Sequence, residues 1–283
     1  MGAIFGPAGN SESFFAMGYK DNSGVAEYIT KMGLDAFEYQ CGRGVNISDK
    51  SAAAFGALAK GSKVTLSIHA PYFISLSSLE PEKRTGSARY FLESARAAAA
   101  MGAGRIILHS GSCGKQSREQ ALALAKETLA YCLARTDEAG YSNLTFCPET
   151  MGKINQLGTL DEVIELCLID ERLIPCIDFG HLNARTHGGI QSKADYAAIL
   201  DKLKNRLGDY RYRNFHSHFS KIEYSEGGEK RHLTFEDRSF GPDPLPLMEL
   251  VAERDLSPTF ICESDGTQAE DAALLKEYYK NKL

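Results

Sequence analysis

The chain has 283 residues, 43% of them hydrophobic, which is enough to bury a large core and a normal length for one barrel of alternating strands and helices. A net charge of −5 lacks the basic footprint usual in nucleic-acid binders, and no apolar run approaches the roughly 20 residues of a membrane span. The start, MGAIFGPAGN, has no basic segment leading into an apolar stretch, and the seven cysteines contain no CxxC pair; reduced thiols in a soluble cytoplasmic protein are expected.

Short apolar runs alternate with longer amphipathic ones along the whole chain. In order, the pattern predicts a strand over 2–6, a helix near 23–32, a strand over 34–39 and a helix over 49–60. It continues with a strand over 63–69, a helix over 81–102, a strand over 105–109 and a helix over 117–140. Next come a strand over 144–149, a helix over 159–170, a strand over 173–178 and a helix over 193–207. A strand over 212–216, a helix over 243–254, a strand over 258–263 and a helix over 268–280 complete the series. Ser117 ahead of Glu119 and Gln120, and Thr159 ahead of Asp161 and Glu162, are helix-start signals; Gly102, Gly140 and Gly208 follow helix ends. Eight strand-then-helix units make a (β/α)8 TIM barrel, with an open doubly wound sheet as the alternative. No linker or repeat interrupts the pattern, so residues 1–283 read as one domain.

The predicted strands end in polar residues. Strands 3 to 8 finish with His69, His109, Glu149, Asp178, His216 and Glu263. In a barrel these ends ring one mouth, the face that carries catalytic groups. Buried imidazoles and carboxylates are costly unless paired, and a divalent ion such as Zn²⁺ or Mn²⁺ satisfies them. All seven histidines, including His181, His187, His218 and His232, fall at strand ends or in the following loops; His187, in a Thr-His-Gly-Gly stretch, reads as a bystander. Cys147, Cys176 and Cys262 read as small buried barrel residues, the alternative being a catalytic thiol.

Several motifs resemble the endonuclease IV family of zinc-dependent apurinic/apyrimidinic endonucleases. They are Ser67-Ile68-His69-Ala70-Pro71-Tyr72, His109-Ser110-Gly111-Ser112, Pro148-Glu149-Thr150-Met151-Gly152, Asp178-Phe179-Gly180-His181 and Phe215-His216. The resemblance runs from about residue 60 to the C-terminus. It implies a TIM barrel holding two or three zinc ions, with manganese or iron as alternatives, that cleaves DNA at abasic sites with a metal-activated hydroxide in base excision repair. By position, it implies His69 and His109 as ligands of a first zinc and Glu149 as bridge and catalytic carboxylate. Asp178, His216 and Glu263 complete a second site, Glu263 also being catalytic, and His181 belongs to a third. The family's Asp-Arg-His after strand 7 is replaced here by Glu229-Lys230-Arg231-His232, which places His232 one position on and Glu229 in the aspartate's role. His218 is an additional candidate ligand. Arg43, Lys221, Lys230 and Arg231 are candidate phosphate contacts. The basic and aromatic stretch that family members carry after strand 2 is reduced here to Tyr39-Gln40-Cys41-Gly42-Arg43-Gly44, and there is no Trp.

Sugar isomerases and epimerases on a similar barrel offer another reading. They keep one metal on Glu, Asp, His and Glu at strand ends 5 to 8, here Glu149, Asp178, His216 and Glu263. His69 and His109 separate the readings, because an isomerase of that kind needs no imidazole pair on strands 3 and 4. A barrel that binds metal without catalysis is the third possibility.

Overall fold

In the computed structural model, which describes residues 2–283, the alternation becomes a closed ring. Its strands are β1 (Ile4–Pro7), β2 (Ala36–Gln40), β3 (Thr65–His69), β4 (Arg105–Leu108), β5 (Thr145–Pro148), β6 (Cys176–Asp178), β7 (His216–Phe219) and β10 (Thr259–Cys262). Parallel pairing runs β2-β3-β4-β5 and β1-β10-β7-β6. Parallel bridges Ala8–Glu38 and Glu149–Cys176 join the two arcs. This is the (β/α)8 barrel expected from the pattern.

The helices are α1 (Glu12–Ala16), α2 (Val25–Lys31), α3 (Asp49–Gly61), α4 (Pro81–Met101) and α5 (Arg118–Glu138). They continue with α6 (Leu160–Cys167), α7 (Phe179–Arg185), α8 (Lys193–Arg213), α9 (Leu245–Glu253) and α10 (Gln268–Lys280). Their ends follow local chemistry. Ser117 with Gln120 and Thr159 with Glu162 form reciprocal capping boxes, and Pro81 opens α4 where its missing N–H costs nothing. Gly102 ends α4 in the left-handed conformation, at φ 72°.

Strand alternation divides the interior in two. Outward-facing Phe37, Ile68, Ile106, Phe146 and Phe260 pack under the helices in one large core. Inside the ring sit small clusters, Ile107 with Cys147, Ile174 and Cys176, and Ala8 with Ala36 and Ile261. Above and between them the ring interior is polar, and there the site is built. All seven cysteines are buried and free. Among the described residues no helix is long and apolar enough to cross a membrane.

The structure corrects the sequence pattern at strand 7. The strand begins at His216 instead of ending there. Helix α8 breaks at Gly208 (φ 80°, ψ 173°) and then resumes to Arg213, taking up residues 212–213. Tyr212 and Phe215, three apart and both buried, suit a helix end as well as a strand. The pattern also missed short α1 and α7, and the antiparallel hairpin β8 (Lys221–Ser225) and β9 (Gly228–Leu233). That hairpin is mostly polar, so it has little apolar periodicity to detect.

Gly6 shows how closely the ring is packed, since a Cβ there would lie 1.9 Å from the Ala36 carbonyl oxygen of neighbouring β2. Gly6→Ala is therefore expected to lower stability by about 1–3 kcal/mol, the usual cost of overpacking. Urea unfolding with an unchanged midpoint would contradict this account of the β1–β2 seam.

Candidate metal centre

Glu149 follows β5 directly and has no exposed surface. Its two carboxylate oxygens face different histidines. Oε2 lies 3.3 Å from His69 Nε2 and 3.2 Å from His109 Nε2. Oε1 lies 3.0 Å from His218 Nδ1 and 3.3 Å from His181 Nδ1. His69 is the last residue of β3, His109 follows β4, and the loop conformation after each strand keeps them on the mouth.

Asp178 ends β6 and also caps α7, accepting from the His181 backbone N–H at 2.7 Å. This double role explains why His181, three residues on, turns back over the mouth. His218 sits mid-strand on β7, and Glu263, just past β10, lies 3.5 Å from its Nδ1. His216, two residues earlier on the same face, lies one layer deeper with Nε2 3.0 Å from Glu38 Oε2. The structure thus brings His218, and not His216, to Glu149. The sequence pattern ended strand 7 at His216 and named that residue first, with His218 as the additional candidate, because a period of two keeps both on the same face.

A third grouping comes from the hairpin. Glu229 Oε2 is 3.3 Å from His181 Nε2, and Glu229 Oε1 is 3.9 Å from His232 Nε2. The hairpin is held down by backbone contacts: Glu229 N–H donates to Gly152 O, Ile154 N–H to Gly227 O, and Lys153 bridges Gly228. A Cβ on Gly152 would come within 2.6 Å of Glu229 Cβ, and one on Gly228 within 2.2 Å of Gly152 O. The glycine on each side permits this approach.

Ligand atoms therefore gather at the mouth in three main sets, His69, His109 and Glu149; Glu149, Asp178, His218 and Glu263; and His181, Glu229 and His232, which two further groupings overlap, His69 with His218 and Glu263 and, one layer deeper, Cys176 with His216 and His218. The sets fit divalent ions on three observations. Zinc bonds of about 2.0–2.1 Å give a tetrahedron whose edges are about 3.3–3.4 Å, close to most of the spacings above. Asp178 Oδ2 is buried without a hydrogen bond among the described residues, its nearest nitrogen being His181 Nδ1 at 3.2 Å, an arrangement that a cation would satisfy. Two histidines also place Nδ1 against a neutral partner, His69 on Ala70 O (2.9 Å) and His232 on Ser220 Oγ (2.8 Å), whereas His181 shares its Nδ1 between Thr150 O (3.0 Å) and the Glu149 and Asp178 carboxylates. In His69 and His232 that leaves Nε2 turned to the carboxylates, the usual way a ligating imidazole is held.

The electrostatics match. Burial works against the Glu149 charge, yet His218, His109 and His181 together hold its carboxyl well below the usual range. Burial pushes Asp178 up to about 6, against the pull of His181. Burial likewise raises the thiols, Cys147 to about 12 and Cys262 upward, which leaves them unreactive.

A cavity of about 370 Å³ opens over the sets, lined by His109, Tyr72, Lys153, Glu229, His232 and Glu263 among others. Tyr72 is 58% exposed and stacks on His109 at 5.6 Å. The cations expected from the sequence lie elsewhere. Lys221 Nζ donates to the Phe235 and Asp237 carbonyls, Lys230 and Arg231 pair with Glu223, and Arg43 is exposed in the loop after β2. The lysine lining the cavity is Lys153, which the sequence reading did not select; its place right after the Glu149 motif was the available signal. Glu38 was missed too. It stands mid-β2, fully buried, and strand alternation alone turns it inward with Ala36. His187 (φ 53°) packs near Tyr224, away from these sets.

A closed barrel with imidazoles and carboxylates converging at its C-terminal mouth has the architecture of a TIM-barrel enzyme, with its candidate site on the face that carries catalytic groups. The chain belongs to the xylose isomerase-like TIM barrel family, whose family model matches residues 26–278. An uncharacterized protein of Methanocaldococcus jannaschii is 32% identical over 97% of this chain and 96% of its own length. A probable endonuclease 4 of Mycoplasma pneumoniae is 30% identical over 68% of this chain and 65% of its length. Among solved structures, a D-tagatose 3-epimerase-like protein (TM-score 0.74, 18% identity, 99% of this chain and 98% of that one) shares the fold. So does endonuclease IV from Thermus thermophilus (TM-score 0.70, 19% identity, 98% of this chain and 99% of that one).

Gly152→Ala is expected to push Glu229 off His181 and remove one class of divalent-ion sites while leaving the other two. Titration of chelator-treated protein with zinc checks this; an unchanged stoichiometry would contradict the role given to the glycine contact.

Proposed function

We propose that the protein is a divalent-metal-dependent phosphodiesterase of the endonuclease IV type, acting on DNA at abasic sites. The observation that carries this reading is the split of Glu149: His69 and His109 on one oxygen, His218 on the other, with a further set on the hairpin. The similarity to probable endonuclease 4 proteins supports it. Zinc, or manganese or iron in its place, would be held by His69, His109 and Glu149, by Glu149, Asp178, His218 and Glu263, and by His181, Glu229 and His232. Bound there, such ions supply Lewis acidity that activates water and neutralises a phosphate.

The remaining work falls to the chain. Glu149 holds the first two sets together through its two oxygens. Glu263 lines the cavity and can take the proton that an attacking water loses. Lys153 offers an ammonium to a phosphate entering the cavity, and the exposed ring of Tyr72 offers a stacking face at its edge. An abasic nucleotide reaches such a mouth at low cost because no base pair has to be broken. The short loop after β2 and the net charge of −5 predict a weak, strongly salt-dependent grip on duplex DNA.

The epimerase-like neighbour favours a second reading. Glu149, Asp178, His218 and Glu263 form one four-ligand set, which a single ion could occupy while the flanking carboxylates shuttle a proton on a ketose. The deciding experiment is an incision assay on a duplex with one abasic site beside an intact control, with and without chelator, run in parallel with ketose interconversion. Chelator-sensitive nicking confined to the abasic strand is expected; ketose turnover without nicking would establish the epimerase.

His69→Ala is expected to lose metal and to lower the nicking rate by more than the roughly 10–100-fold that follows loss of a ligand's outer partner. Unchanged metal content with a modest effect on turnover would point to the epimerase. Glu149→Gln is expected to remove both nicking and at least one ion while the thermal transition remains cooperative. Near-full activity in that variant would remove Glu149 from the bridging role.

A further inference from the structure

Beneath the mouth lies a carboxylate that none of the three ligand sets uses. Glu38 stands on β2 and His218 on β7, strands that are not neighbours in the ring, so their side chains meet across the barrel interior. Glu38 is fully buried, and each of its oxygens has two partners. Ser67 Oγ donates to Oε2 at 2.8 Å, and His216 Nε2 lies 3.0 Å from the same oxygen. Gln40 Nε2 donates to Oε1 at 3.2 Å, and His218 Nε2 stands 2.9 Å from it as a charge partner without hydrogen-bond alignment. Three hydrogen-bond partners and the nearby His218 ring surround an acceptor with roughly four lone-pair sites.

An apolar side chain of the same volume would fill this space without the cost of burying a charge. What the charge adds is orientation. His218 has its Nε2 edge on Glu38 and its Nδ1 edge on Glu149 and Glu263. Turning the ring over would put carbon against carboxylates on both edges. A proton on Nε2 facing Glu38 leaves the Nδ1 lone pair aimed at the set formed by Glu149, Asp178 and Glu263.

We propose that Glu38 is the positioning carboxylate of this centre: it fixes the ring orientation and the tautomer of His218, so that Nδ1 is the ligating atom. This rests on the metal-centre reading above. His216 serves the same end from below as a partner of Glu38, beside its grouping with Cys176 and His218. Glu38 does not line the cavity and touches no substrate.

The amide of Glu38→Gln cannot accept from all of these partners, and one of its faces presents N–H groups to donors. Zinc binding by chelator-treated protein, measured in competition with a chromophoric chelator, is expected to show one ion weakened by about 10–100-fold and the others unchanged. In the zinc-loaded unsubstituted protein, long-range ¹H–¹⁵N correlation is expected to place the His218 proton on Nε2. A folded Glu38→Gln variant that binds every ion as tightly as the unsubstituted chain would overturn the inference. So would a His218 proton on Nδ1, a result that decides the matter even where the variant fails to fold. An unsubstituted chain that takes up no zinc would overturn the metal-centre reading and this inference with it.

Discussion

The carboxylate of Glu149 is shut away from water between four imidazoles, and most features of the mouth exist to make that possible. A lone buried carboxylate would be prohibitively costly. Here His69, His109, His181 and His218 approach it from four directions, each carried by a different segment of the ring. They converge because parallel strands in a barrel end at one rim, and because Asp178 turns the chain into α7 so that His181 doubles back. Remove the convergence and the charge has no partner. The same crowding that satisfies Glu149 gathers the carboxylates of Asp178, Glu229 and Glu263, and a dense mixture of both types is what a hard-to-borderline cation needs.

The fold was legible in the sequence because its signal repeats. Eight short apolar runs such as IILH and TFIC, separated by amphipathic stretches with capping boxes at Ser117 and Thr159, leave little freedom once β-to-α order is read. Strand ends at His69, His109, Glu149 and Asp178 fell within a residue of their observed places. Strand 7 did not. Its preceding helix breaks at Gly208 and restarts, a tertiary choice that leaves no periodicity behind, and the shift put His218 at the mouth and His216 one layer deeper.

What stayed hidden follows the same logic. Glu38 lies among apolar neighbours in β2, where one acid reads as an exception, and its meaning comes from β7, 178 residues away at His216. The cavity lysine, Lys153, was passed over for Lys221 and Arg231 because sequence shows that a cation exists and not what it is bonded to; those side chains are already committed to Phe235 and Glu223. Glu229 and His232, in contrast, were found through motif resemblance, although the hairpin presenting them has no apolar pattern of its own.

That hairpin is fastened to the loop after β5 by main-chain bonds across Gly152 and Gly228, and β8 and β9 pair with no strand of the ring. The donors it brings sit outside the strand ladder, on a hairpin that also seats the buried Ile222 against Gly180 of α7, so exchanging Glu229 or His232 alters how many ligand groups overhang the mouth without touching the eight-stranded wall. The number of ligand groups over the mouth is in this way set by one short hairpin and the two glycines, Gly152 and Gly228, that let it approach.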